Sequence, residues 1–124
     1  MTENESLSTE EQVEYIIEAL KDKKGRQILK IDLRAIENSI CDHFIICHGD
    51  STTQVNALCE SVEKKLKETG KIYAHHVEGL KNCLWVLMDY NDILVHIFLE
   101  NQRRFYNLEE LWADGKLESV EDEL

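Results

Sequence analysis

Two segments of the chain carry apolar residues three or four positions apart, which is the spacing of an amphipathic helix. The first follows an S-x-x-E capping pattern that begins at Ser8, and the second follows an S-x-x-Q pattern at Ser51. Gly25 and Gly70 are plausible stops. The two apolar stripes are Val13, Ile16, Ile17 and Leu20, and then Val55, Leu58, Cys59, Val62 and Leu66. The pattern predicts two substantial helices.

Other segments have the alternation or the apolar content of β-strands. Residues 27–34 alternate apolar and charged side chains, which predicts a half-exposed strand near a sheet edge. Residues 43–49 form a continuous apolar run, which is typical of a strand buried on both faces. Residues 71–78 predict a weaker strand, so residues 43–78 form a strand–helix–strand crossover unit. Residues 84–99 predict a hairpin.

These elements fit one α/β domain over residues 8–114, with a mixed sheet of about five strands and flanking helices. A length of 124 residues is enough to bury one core. Beyond residue 106 we expect one helical turn around Leu108, Leu111 and Trp112. Residues 115–124 form an acidic tail with too little apolar content to order itself. The chain shows no secretory signal and no apolar run of membrane-spanning length, so a cytoplasmic protein is expected.

The negative charge of the chain is concentrated at its two ends. The formal net charge is −11, of which residues 1–11 contribute −4, residues 107–124 contribute −6 and the intervening body contributes −1. Phosphate-neutralising cations are therefore in short supply, which argues against direct non-specific nucleic-acid binding. A basic protein partner remains compatible with this charge.

The four cysteines form no C-x-x-C pair, and in a reducing compartment they are most simply small apolar residues. Cys41-x-His43 and Cys47-His48 match no common zinc-ligand spacing. They also lie in or beside a predicted strand, where neighbouring side chains point to opposite faces. We therefore expect neither a metal nor a cofactor.

The hairpin turn Asp89-Tyr90-Asn91-Asp92 has two interpretations. Asn91 suits a turn position with positive φ, and flanking aspartates can accept backbone N–H groups. The alternative is a metal or catalytic site of the two aspartates. No further acidic partner stands at strand spacing, so turn chemistry is favoured.

Both faces of the hairpin are largely apolar, although the chain offers only two long helices to cover them. If both helices lie on one face, the other keeps an exposed patch of Trp85, Leu87, His96 and Phe98. Such patches commonly mark a partner site. Alternatively, the C-terminal segment with Phe105, Tyr106 and Trp112 folds back over this face. His96 is expected to be a hydrogen-bonded structural histidine. Arg103 and Arg104 are either interface anchors or solvent-exposed cations.

Three blocks of sequence together resemble the ribosomal silencing factor family, also called Iojap. They are "DHFIICHGDSTTQVNAL", "VEGLKNCLWVLMDYNDILVHIF" and "RRFYNLEELW", in the family's order and spacing over roughly residues 10–114. The resemblance implies a nucleotidyltransferase-like fold without enzymatic activity. It implies binding to ribosomal protein L-fourteen on the large subunit, which blocks subunit joining and lowers translation. Free members can form homodimers.

The resemblance also places functional residues at matching positions of this chain. Gly79 and Asp92 match the family beside the positions expected to bind the partner. With Leu87 added from the apolar patch, the predicted partner-binding residues are Glu78, Trp85, Leu87, Asp89, His96, Phe98, Arg103, Tyr106, Leu108 and Trp112. Asn91 departs from the glycine that many members carry, and Asp50 replaces the usual Thr or Asn.

Two other functions compete with ribosome binding. A nucleotidyltransferase-like enzyme would need paired acids that hold two metal ions, and "HGDS" is followed by no D-x-D. A homodimerisation module would close the apolar patch on its own copy. The resemblance favours a partner surface over both.

Overall fold

The computed structural model describes residues 7–120 and shows one mixed sheet with helices on both faces. The strands lie in the order β3-β4-β5-β2-β1-β6. In chain order the elements are α1 (Thr9–Asp22), β1 (Arg26–Asp32), β2 (His43–Gly49), α2 (Thr52–Gly70), β3 (His76–Glu78), β4 (Trp85–Asp89), β5 (Ile93–Leu99), α3 (Glu100–Tyr106), α4 (Leu108–Leu111) and β6 (Lys116–Ser119). The predicted α/β class is confirmed, with six strands in place of about five.

Both predicted long helices are present, and their capping residues act as expected. The Ser8 hydroxyl accepts the Glu11 amide at 3.1 Å, and the Glu11 carboxylate accepts the Ser8 amide at 2.9 Å. The Ser51 hydroxyl accepts the Gln54 amide at 3.1 Å. Each cap satisfies an amide that lacks a partner within the helix. Both helices pack on one face of the sheet, called here the helix face, where their apolar stripes form the larger core.

β2 and β5 run parallel at the centre of the sheet, and the other neighbouring strands are antiparallel. Every residue of β2 is buried, which confirms the prediction for residues 43–49. The predicted strand over residues 71–78 is wrong for its first five residues. Lys71 has a left-handed backbone (φ 54), and the Ile72 amide donates to the Leu66 carbonyl, so Lys71 and Ile72 close α2 instead.

The opposite face of the sheet, called here the outer face, carries a second and smaller core. Leu29, Phe44, Ile46 and Phe98 project from the strands, and Leu108 of α4 packs against them. Trp112 and Ile36 complete its cover. The alternative in which the C-terminal segment folds back over this face is therefore correct for the middle of the sheet.

The prediction that residues 115–124 do not order themselves is wrong for residues 116–119. They form β6, which pairs antiparallel with β1 from Leu29↔Ser119 to Asp32↔Lys116. Composition could not reveal this strand, because all four side chains are exposed and the backbone of β1 supplies its hydrogen bonds. Residues 121–124 lie outside the described residues, as do residues 1–6 of the acidic N-terminus. Among residues 7–120, no helix is long and apolar enough to cross a membrane.

Candidate partner-binding surface

Hydrogen bonds to Asp89 and Asp92 hold the turn between β4 and β5, and the bond to the Asp89 side chain is the one that the sequence predicted. Asn91 has φ 77, and its amide donates to the Asp89 carboxylate at 2.8 Å. The Asp92 carbonyl accepts the amides of Asp42 and His43 at 2.9 and 3.1 Å, which ties the turn to the start of β2. The prediction that turn chemistry explains Asp89 and Asn91 is confirmed.

The register of β3, β4 and β5 places several predicted residues side by side on the outer face. Trp85 lies opposite Phe98, Leu87 lies between Glu78 and His96, and Asp89 lies between His76 and Leu94. On the outer face, α3 and α4 cover the residues that β5 contributes. The β3–β4 side stays open, with Trp85, Leu87 and Asp89 half-buried and Glu78 and His76 exposed. We call these last five residues the open strip.

Four of the predicted contact residues are buried in the free chain. His96 and Phe98 are 5% and 0% exposed, and Arg103 and Leu108 are 6% and 9% exposed. The prediction of an exposed patch that includes His96 and Phe98 is therefore wrong. The reason is the short C-terminal helices, which lay aromatic side chains over this part of the sheet and bury it.

The aromatic side chains of this region pack in a continuous cluster. Trp85 stacks on Phe98 with ring centroids 4.9 Å apart, and Tyr106 lies 4.7 Å from Trp85. Trp112 meets Phe44 edge to face at 5.3 Å. Such pairs favour a fixed geometry beyond the area they bury. Tyr106 keeps 49% of its surface exposed, so it belongs both to the outer-face core and to the open surface.

His96 is held neutral at the centre of this cluster. Its Nδ1 accepts the Trp85 indole N–H at 3.1 Å, which leaves the ring proton on Nε2, and Nε2 is buried without a partner. Burial lowers the pKa of His96 from 6.5 to about 4. The predicted hydrogen-bonded structural histidine is confirmed, and its bond fixes the plane of Trp85.

Several large apolar residues outside the predicted partner-binding set are exposed, among them Phe105, which was expected to help cover the outer face. Phe105 and Leu111 are 78% and 75% exposed, and Leu80 and Leu84 are 46% and 36% exposed. Phe105 packs edge to face on Tyr106 at 5.1 Å. Phe105 and Leu111 lie inside the motif "RRFYNLEELW", so their apolar character within an otherwise polar helical segment was the available signal.

A different group of residues brings metal-binding atom types together. Within residues 7–120, ligand atoms of His48, Asp50 and Glu100 lie within 4.8 Å of one another. Arginines already engage these groups. Arg103 lies 3.1 Å from His48 Nδ1, Arg104 lies 2.9 Å from Glu100, and Arg26 lies 3.8 Å from Asp50. Because a guanidinium can only donate, His48 Nδ1 must accept and Nε2 keeps its proton. Neither ring nitrogen then offers a free lone pair to a cation.

The four cysteines behave as apolar side chains. All of them are buried, and none of them forms a disulfide. Burial raises the pKa of Cys41 to about 11 and that of Cys59 to about 12, so these thiols stay protonated and unreactive near neutral pH. The sequence-based interpretation of these residues as core is confirmed.

Comparison with known proteins identifies the family. The sequence pattern of the family described as "Ribosomal silencing factor during starvation" matches residues 6–124. The chain belongs to the ribosomal silencing factor family. A ribosomal silencing factor of Halalkalibacterium halodurans is 36% identical over 115 residues, which cover 93% of this chain and 97% of that protein. The predicted family membership is therefore confirmed.

Solved structures agree with this assignment. A crystal structure of a protein from Chromobacterium violaceum superimposes with a TM-score of 0.81 at 38% identity, covering 86% of this chain and 88% of that one. Among more distant relatives of the chain, a mouse protein is named for mitochondrial assembly of the ribosomal large subunit. It is 28% identical over 115 residues, which cover 90% of this chain and 48% of that protein.

Proposed function

We propose that this silencing factor binds the large ribosomal subunit at ribosomal protein L-fourteen and sterically blocks joining of the small subunit, which represses translation in the cytoplasm. The observation that carries the proposal is the open strip, where half-buried Trp85 and Leu87 stay partly exposed beside the acids Glu78 and Asp89. Family membership supports a ribosomal partner, and the name of the mouse relative directs attention to the large subunit.

The chemistry of the surface suits a basic protein partner. Tyr106 and Phe105 extend the apolar area from the open strip onto α3. Tyr and Trp are enriched at the energetic centre of interfaces because they bury a large area at a small cost in side-chain entropy. Glu78 and Asp89 border this area, and acidic groups at a rim attract a cationic surface. Proteins of the ribosomal face lie beside RNA and are rich in such cations.

A steric mechanism needs an interface of only standard size. A standard interface buries about 800 Å² on each partner, which is roughly a ninth of the 7212 Å² of accessible surface here. A bound domain of this size would project from the face of the large subunit. It would occupy the volume that the small subunit needs, and no catalytic step is required.

We predict that Leu87→Lys abolishes binding to large subunits, because it places a cation in the open strip opposite a cationic partner. Co-sedimentation with separated large and small subunits measures the effect. Leu117→Lys is the matched control, since Leu117 is a 42% exposed leucine of β6 at the opposite edge of the same sheet. The wild type and the control should sediment with large subunits only, and the Leu87 variant should stay in the supernatant.

Two results would contradict the proposal. One is equal binding by the Leu87 variant and the wild type, with both proteins folded by far-UV circular dichroism. The other is sedimentation of the wild type with neither subunit. Cross-linking from the open strip to L-fourteen, with small-subunit joining measured in parallel, then tests the named partner and the blocking step separately.

A second copy of the chain is the other candidate occupant, because exposed apolar surface also favours self-association. Sedimentation equilibrium at several dilutions measures it. A dimer that uses the open strip should dissociate when purified L-fourteen is added. A dimer that persists with L-fourteen bound uses another surface, and a dimer that excludes L-fourteen completely favours the homodimerisation module.

A further inference from the structure

Arg103 was expected to contact the partner, yet the residue is only 6% exposed and its guanidinium points into the protein. Its Nε donates to the Glu109 carboxylate at 3.2 Å. One terminal nitrogen donates to the Gln27 carbonyl at 2.7 Å and lies 3.3 Å from the Arg26 carbonyl. The same nitrogen lies 3.1 Å from His48 Nδ1. The side chain therefore joins four elements of the fold: α3, α4, β1 and β2.

The backbone of β1 is shaped to receive this cation. The β1–β2 register shifts between Arg26 and Leu29, and Gln27 has φ 48, in the left-handed region. This bulge lets two successive carbonyls reach one guanidinium nitrogen. A buried cation needs such acceptors, because its lost hydration is otherwise uncompensated. Lysine would keep the charge but could not reach the carbonyls and Glu109 at once, since it lacks the planar fork.

The helices that Arg103 holds have little stability of their own. α3 has seven residues and α4 has four, and neither has a side-chain N-cap. Helices this short do not form in isolation, so tertiary contacts must fix them. Tyr106 stands one turn after Arg103 on α3, and Trp112 follows α4 directly. These two residues make the ring contacts with Trp85 and Phe44.

We propose that Arg103 is the positioning residue of the partner surface: it anchors α3 and α4 to the β1 bulge and so fixes Tyr106 and Phe105 beside the open strip, without touching the partner. The effect of Arg103 on partner binding rests on the proposed function. The structural part of the inference concerns the free protein alone. Glu109 and His48 belong to the same anchor: Glu109 contacts Nε of Arg103, and His48 contacts a terminal nitrogen of Arg103.

Arg103→Lys tests the inference, with Arg104→Lys as the matched control. Arg104 is the neighbouring arginine, is exposed, and pairs with Glu100 at 2.9 Å one turn away. Hydrogen exchange of the amides of residues 100–112 and the dissociation constant for large subunits are measured on each full-length protein. The Arg103 variant should exchange faster in this segment and bind roughly tenfold or more weakly, which is a loss of about 1.4 kcal/mol. The control should change in neither.

Glu109→Gln separates positioning from contact. It removes the charged partner of Arg103 on α4 and should weaken binding in the same direction. The double variant Arg103→Lys with Glu109→Gln should bind no more weakly than the worse single variant, because both remove one anchor. An additive loss, or weaker binding by Arg103→Lys with unchanged exchange, would overturn the inference and make Arg103 a contact residue. Faster exchange with unchanged affinity would overturn it too.

The inference and the proposed function fail in distinguishable ways. If wild-type protein does not bind large subunits, the proposed function fails, whatever the exchange data show. If wild-type binding is normal and the exchange of residues 100–112 is the same in all variants, the anchor is refuted while the proposed function stands.

Discussion

At the scale of single residues, His96 shows how a polar group can serve a surface that it does not reach. It accepts the Trp85 indole proton and sits against Phe44 with ring centroids 4.7 Å apart. Its neutral form is required by its apolar surroundings, and burial lowers its pKa to about 4. The orientation of Trp85 is therefore coupled to a group whose protonation is costly in the folded state.

This coupling predicts that folding stability falls as the pH is lowered through the weakly acidic range. Because the pKa of His96 is lower in the folded protein than the 6.5 of the unfolded chain, its contribution is complete above about pH 6.5. It decreases as the pH falls toward 4, and roughly 2 kcal/mol should be gone by pH 5. Urea unfolding at pH 7.5 and pH 5.0 measures the loss.

His96→Gln should reduce this pH dependence, because glutamine can accept the indole proton and does not titrate. His75→Gln is the control, since His75 is exposed and should leave the pH dependence as in the wild type. The pKa of His48 is also lowered, mainly by burial and then by Arg103, so part of the acid sensitivity should remain. An equal pH dependence in the wild type and the His96 variant would contradict the prediction.

At the scale of elements, β6 shows how a strand can exist without an apolar signal of its own. Its backbone pairs with β1, and Lys30 of β1 lies 3.6 Å from Glu118. Gly115 lets the chain approach this edge. A Cβ at that position would lie 2.6 Å from Ile31 Cγ2 and 3.1 Å from the Asp32 carbonyl. The position of β6 therefore depends on the absence of a side chain at Gly115 as well as on the hydrogen bonds with β1.

Gly115→Ala should destabilise the protein by about 1–3 kcal/mol, because the added methyl overlaps a fully buried part of the outer-face core. Thermal unfolding gives the loss, and hydrogen exchange should show that β6 opens. Asp114→Ala changes the preceding exposed residue of the same turn and should leave both unchanged. Unaltered stability of the Gly115 variant would contradict the prediction, because it would mean that the Ile31 side chain can move aside with no loss in the free energy of unfolding.

The elements that could be predicted from sequence are those with local signals. α1 and α2 carry capping residues and apolar stripes, and the hairpin carries a turn residue suited to positive φ. β6 and α3 have neither, because partners distant in sequence fix them. The residues predicted to bind the partner divide in the same way. Trp85, Leu87 and Tyr106 are accessible, whereas Arg103 is buried and donates to a carbonyl of β1. No local sequence pattern predicts that distant contact.

At the scale of the whole molecule, the net charge of −11 should speed the encounter with the cationic partner proposed above. Salt screens attraction between exposed charges over about 8 Å at physiological ionic strength. The association rate with large subunits should therefore fall as KCl is raised from about 50 to about 300 mM, while the dissociation rate changes much less. Stopped-flow measurements with labelled protein separate the two rates.

Glu78→Gln should flatten this salt dependence, because Glu78 is an exposed acid of the open strip. Glu68→Gln removes the same charge from α2 on the helix face, and its effect should be smaller. Equal effects of the two changes would show that total charge steers association and that the local acid does not.

The parallel pairing of β2 with β5 has a consequence for how the chain reaches this fold. Each residue of β2 meets one fifty positions further along the chain, from His43 with Ile93 to Gly49 with Leu99. Such long-range contacts slow folding, because a large loop must close before any of them forms. Until β5 pairs with it, β2 exposes unpaired backbone groups and the apolar side chains of residues 44–47 to other unfolded molecules. β2, which ends at the centre of the folded sheet, is thus the most aggregation-prone segment during folding. A holdase chaperone that shields β2 should therefore raise the yield of refolding.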